Sequence, residues 1–118
     1  MPLLKILQSF LMLAALSICV VNAQSTTLIE TTMSLAEEGN AKAQANLGAM
    51  YTNGFGVAKD DVLAYAWFNI AATIGNTKNA PVYRDKLETV MPPEQVAEAR
   101  RLSSNWRVGT IIKRETKK

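Results

Sequence analysis

Apolar positions along the chain recur with the spacing of helices, and no stretch alternates apolar and polar residues as a half-buried strand would. Thr27-Leu28-Ile29-Glu30 has the form of a capping box, with Thr27 as N-cap and Glu30 reaching back to it. It predicts a helix from there to about Glu38, ended by Gly39 in a left-handed conformation. Asn40 then caps a second helix whose apolar face is Ala43, Leu47, Met50 and Tyr51. Asp60 caps a third, with Asp61 placed against its dipole and a stripe of Leu63, Ala66, Trp67, Ile70, Ala71 and Ile74. Gly75 stops it. A fourth helix is expected from about Ala80 to Met91, burying Tyr83, Leu87, Val90 and Met91. Pro92-Pro93 breaks that helix, and Pro93 opens a fifth that runs to about Trp106, burying Val96, Ala99, Leu102 and Trp106.

The connections are short. Gly54-Phe55-Gly56 marks the turn between the second and third helices, where a β-carbon would clash in a backbone of positive φ. Ala36, Gly39, Asn40 and Lys42 recur as Ala72, Gly75, Asn76 and Lys78, 36 residues later. A period of that length suits a pair of helices as the repeating unit. The expected architecture is all-α, a short α/α solenoid of antiparallel helix pairs.

The first 23 residues change the domain boundaries. Lys5 is the only charge before Glu30, a long apolar run follows it, and Val21-Asn22-Ala23 has the small side chains of a cleavage site. This is the pattern of a secretory signal peptide, so residues 1–23 are expected to be removed and the protein to be exported, periplasmic or secreted. As a retained anchor the run is short against the roughly 20 residues a span requires. The only cysteine, Cys19, lies inside it, preceded by Ile18 where a lipid-attachment site needs a small residue. The expected helical domain is residues 24–106. It carries seven basic and nine acidic residues, so the net charge of +3 comes from the end of the chain. There Arg107, Lys113, Arg114, Lys117 and Lys118 stand against Glu115. Residues 107–118 are expected to be a solvated basic tail.

Little chemistry is left for catalysis. The chain has no histidine, and once Cys19 has gone with the signal it has no thiol. A Ser-His-Asp or Cys-His hydrolase needs an imidazole, and a zinc site normally needs His or Cys. Neighbours such as Glu37-Glu38 and Asp60-Asp61 point about 100° apart on a helix and do not face each other as an acid and a base. Gly54-Phe55-Gly56 lacks the lysine and hydroxyl of a phosphate loop. No catalytic residue, metal ligand or cofactor site is expected, and no nucleic acid as partner.

The run from Glu38 to Asn76 resembles the Sel-1-like repeats, relatives of the tetratricopeptide repeats. The resemblance is carried by Gly39, Leu47-Gly48-Ala49-Met50-Tyr51, Gly54-Phe55-Gly56-Val57, Lys59-Asp60, Trp67, Ala71-Ala72 and Gly75. It implies that Gly48 allows close helix contact, that Gly54 and Gly56 form the turn, and that Tyr51 and Trp67 are core. The last two helices resemble the C-terminal cap that follows such repeats, except that Pro92 stands where the cap has a capping Ser or Thr. The family implies a scaffold or adaptor. A cysteine-rich branch is linked to β-lactam binding or hydrolysis, but this chain lacks its paired cysteines.

The expected function is therefore capture of another protein or peptide, not turnover. Lys42, Asn46 and Asn53 are the side chains expected to meet the partner. Phe55, at a glycine-flanked tip, either anchors a partner or folds back over Tyr51. An alternative is an accessory factor of the cell envelope, held weakly to a membrane surface or the wall by its basic tail.

Overall fold

In the computed structural model the described residues are 26–75 and 77–114. The expected signal segment, residues 1–23, lies outside them, as does the end of the chain beyond Arg114. Contacts divide the chain between Glu30 and Thr31. Of the first unit, residues 26–30 are described and helical. Thr27 therefore stands within a helical run and is not the N-cap that its sequence suggests.

The second unit begins with helix, α1, through residue 37. Gly39 ends it at φ +96°, with the Gly39 N–H donating to the Ala36 carbonyl (3.1 Å) and the Asn40 N–H to the Leu35 carbonyl (3.0 Å). This paired bonding satisfies carbonyls that the helix end would otherwise leave bare. Asn40 at once caps α2 (Ala41–Asn53), its Oδ1 accepting from the Ala43 N–H at 3.0 Å. Gln44 is fully buried and its Nε2 donates to the Ala36 carbonyl at 3.0 Å, tying α2 to α1. Gly54 closes α2 at φ +67° and Gly56 follows at +71°, so a β-carbon at either would cost roughly 1–2 kcal/mol.

The turn is closed by the Asp60 N–H on the Tyr51 carbonyl (3.0 Å), and the Asp60 carboxylate caps α3 (Asp61–Ile74) by accepting from Val62 and Leu63. Helices α2 and α3 are antiparallel: the middle of α2 meets the middle of α3 where Gly48 faces Phe68, and the start of α2 meets the end of α3 where Gly75 faces Ala41. Gly39 and Gly75, equivalent by the repeat, do different jobs. Gly39 supplies a left-handed backbone. Gly75 is extended, and its place is explained by room, since a β-carbon there would overlap the Ala41 methyl group.

Helix α3 is the centre of the unit. Besides α2 it contacts α4 (Ala80–Val90) and α5 (Pro93–Asn105). With three neighbours it buries far more than one stripe: Val62, Ala64, Tyr65, Ala66, Trp67, Phe68, Ile70 and Ala71 are all buried, while Ile74 of the expected stripe is exposed. Small alanines at 64, 66 and 71 let the neighbours come close. Tyr65 donates to Glu88 of α4 (3.1 Å) and accepts from Arg100 of α5 (3.2 Å), and Arg100 also pairs with Glu88 at 2.7 Å. Asn69 joins the same two helices one turn on, donating to Ser103 (2.8 Å) and accepting from Arg84 (3.1 Å).

Two further expectations are overturned. On α4 only one side is covered, so Leu87 and Met91 are buried but Tyr83 and Val90 are 49% and 73% exposed. The larger correction concerns the domain boundary drawn at Trp106. Residues 107–114 do not leave the domain. The turn after α5 is closed by the Thr110 N–H on the Arg107 carbonyl (3.0 Å), and the Gly109 N–H donates to the Glu37 carbonyl at the end of α1 (2.8 Å). The Trp106 indole N–H donates to the Thr110 carbonyl (3.0 Å) and Ile112 is buried. Arg114 Nη1 lies 3.2 and 3.1 Å from the two Asp60 oxygens, and its Nε 3.4 Å from Glu98. The stretch is a strap across the helices, held because an aliphatic side chain and a cation in it find a shelf and two carboxylates. Pro92 makes no side-chain cap to α5, as its chemistry requires.

Candidate partner-binding groove

On α2, Asn46 and Asn53 are seven residues apart and so share a face. Ala45 and Ala49 lie beside them. Across from α2 stand Asn79, which precedes α4, and Tyr83 in its first turn. With Thr52, and Phe68 of α3 between the two, these residues line a cavity of about 390 Å³. Its apolar wall is the Phe68–Tyr83 pair, stacked with centroids 5.5 Å apart and planes 25° apart. Lys86 lies over Tyr83 with its Nζ 5.6 Å from the ring centre. Thr52 spends its hydroxyl proton on the Gly48 carbonyl (2.9 Å). Among the described residues the side chains of Asn46, Asn53 and Asn79 make no hydrogen bond. Three carboxamides, each a donor and an acceptor, are thus uncommitted around one groove whose lining carries no charged residue.

Of the residues singled out by sequence, the structure brings Asn46 and Asn53 to this groove. Lys42 lies one turn before Asn46, exposed and outside the lining. Phe55 is 60% exposed at the tip of its turn and also outside the groove. The other half of the site, Asn79 and Tyr83, was not foreseen. Tyr83 has the spacing of a core residue, and nothing local tells that α2 lies across from it.

The repeat residues hold the groove in place. Leu47 and Gly48 are buried, and Gly48 sets the distance between α2 and Phe68. Tyr51 is half-buried; burial first, then the Asp60 carboxylate, push its hydroxyl up, so it stays neutral. Ala71 is fully buried. Trp67 is buried edge-on to Trp106, with centroids 6.3 Å apart. A second cavity of about 390 Å³ lies among Asn69, Ile74, Ser103, Trp106 and Val108. Most of its polar side chains are committed: Asn69 serves Ser103 and Arg84, Ser103 donates to the Arg100 carbonyl, Thr73 to the Asn69 carbonyl and Arg107 to the carbonyls of Ser104 and Trp106. That leaves it less to offer a ligand than the α2–α4 groove.

Among the described residues no group of three or more His, Cys, Asp or Glu side chains is placed to hold a metal. One acidic pair has other work: Asp60 caps α3 and holds Arg114, and Asp61 stands in the first turn of α3. No helix among the described residues is long and apolar enough to cross a membrane.

Compared with known proteins, the chain matches no curated protein. Residues 41–76, the span of α2, its glycine turn and α3, match the Sel1 repeat. Repeats of this kind are helical modules for protein–protein interaction. The chain thus contains one Sel1 repeat, made by α2, its glycine turn and α3.

Proposed function

We propose that this protein is an adaptor or scaffold that takes a segment of a partner protein into the groove between α2 and α4. The observation that carries the reading is the set of uncommitted carboxamides of Asn46, Asn53 and Asn79 beside the Phe68–Tyr83 pair. A carboxamide matches a peptide bond donor for acceptor, and an aromatic wall supplies contact area without a charge to select against. Binding, with no turnover, is the work assigned. A library of short peptides displayed on phage and panned against the whole chain tests it. Enriched peptides should bind at least tenfold more weakly to an Asn46→Ala/Asn53→Ala double variant, since two hydrogen bonds of about 1 kcal/mol each are lost. They should bind unchanged to Asn105→Ala, a substitution outside the groove. Peptides indifferent to the double variant would place binding elsewhere.

The same protein works outside the cytoplasm in this reading, which rests on the Lys5, apolar-run and Val21-Asn22-Ala23 pattern. Intact mass of material recovered outside the cytoplasm should correspond to a chain that starts at Gln24; a mass that still includes Met1 rejects cleavage. Attachment to an envelope surface by the basic end is the weaker reading, because Arg114 is paired with Asp60 and Glu98 and Arg107 with the carbonyls of Ser104 and Trp106.

A further inference from the structure

The strap has a hinge, a seat and a latch, and each is of a different kind. The hinge is the turn from Arg107 to Thr110. Gly109 there has φ +85°, and a β-carbon built on it would meet nothing within 4 Å; opening there parts Thr110 from Arg107, whose carbonyl accepts the Thr110 N–H. The seat is apolar: Ile112 is buried, and the Trp106 indole N–H is bonded to the Thr110 carbonyl. The latch is ionic. Arg114 joins two carboxylates from distant parts of the chain, Asp60 at the start of α3 and Glu98 on α5.

The latch is accessible to solvent and ions. The Arg114 side chain is 35% exposed and its two partners 18% and 32%. Ion pairs at such a surface hold weakly and are screened by salt. The helices, in contrast, are held by the buried side chains of α3. Val108 and Ile111, on either side of the hinge glycine and Thr110, are exposed, so Ile112 is the one buried anchor of the strap beyond the turn.

We propose that residues 110–114 open as a unit about the Arg107–Gly109 turn while the helices stay folded, and that the Arg114 latch sets when they open. Opening bares Ile112 and the Trp106 indole N–H and frees Lys113 and Arg114, so ionic strength decides which of two surfaces the protein presents. Nothing in this device depends on what occupies the groove.

Amide and indole hydrogen exchange, followed by NMR on the whole chain, reads the device directly. The Trp106 indole N–H reports the seat, and the amides of Val62–Ala71 in α3 report the helices. Sodium chloride raised from low to molar concentration should speed exchange of the Trp106 indole and the Ile112 and Lys113 amides at least tenfold, with the α3 amides unmoved. A double variant, Asp60→Asn with Glu98→Gln, should do the same at low salt. Asparagine keeps the α3 cap and removes only its charge. If the strap and α3 accelerate together, the strap belongs to the cooperative core and the proposal fails. If neither accelerates, the ion pairs do not hold it and the proposal fails equally. The salt series needs no substitution, so a variant that does not fold leaves the test intact.

Discussion

Trp106→Ala is expected to cost about 3–5 kcal/mol, the range for removing a large aromatic from a core. Trp106 is buried at the end of α5, meets Trp67 of α3 edge-on, and holds the strap through its indole N–H. Truncation removes all three contacts at once. Small domains have total stabilities near the low end of about 5–15 kcal/mol, so the variant should be largely unfolded or self-associating near body temperature. Equilibrium denaturation with urea, compared with the unsubstituted chain, measures the loss. A loss under about 1 kcal/mol would mean that Trp106 is not part of the core. The strap makes the companion experiment informative. If residues 107–118 were a solvated tail, deleting them would leave stability unchanged. Because Ile112 is buried and Arg114 joins Asp60 to Glu98, the deletion should lower the midpoint measurably, though less than Trp106→Ala does.

Gly48→Val should come second, at about 1–3 kcal/mol, the usual cost of overpacking. A β-carbon at Gly48 would lie 2.9 Å from three atoms of the Phe68 ring. The ring is buried and stacked on Tyr83, so it cannot step aside without disturbing the α2–α4 groove. The substitution is therefore expected to weaken the fold and partner binding together, whereas Asn46→Ala/Asn53→Ala weakens binding alone. Denaturation and peptide binding measured on both variants separate the two. Binding that survives intact in folded Gly48→Val would remove Phe68 and Tyr83 from the site.

What the sequence made legible was local. Gly39, Asn40, Gly54 and Asp60 act on groups within five residues of themselves, or at the turn they close, and each stands where its backbone preference and side-chain oxygen place it. Repeat and helix type followed from spacing. What escaped depends on neighbours far along the chain. Phe68 lies off the α3 stripe yet is buried, because α3 is covered by more than one helix. Tyr83 has core spacing yet stands at the groove, because α4 is covered on one side only. The end of the chain looked like a tail because its charges are dense; that one arginine meets a carboxylate 54 positions earlier is not written in any short window. Asn46 and Asn53 were expected to face a partner, but that Asn79 and Tyr83 stand across from them required knowing which helix lies opposite.

A row of helices in which each touches only its neighbours can fray from either end without the middle noticing; here α3, packed on α2, α4 and α5, already ties part of the row together. The strap changes that topology. By bonding residue 109 to residue 37, and residue 114 to residues 60 and 98, it links residues 107–114 back to the first and third helices. With the strap closed, fraying of α1 or of the start of α3 must also break its contacts; with it open, those two places lose that tie while the helices keep their packing on α3. The tie between the two ends of this helical unit is thus a property of its strap as much as of its core.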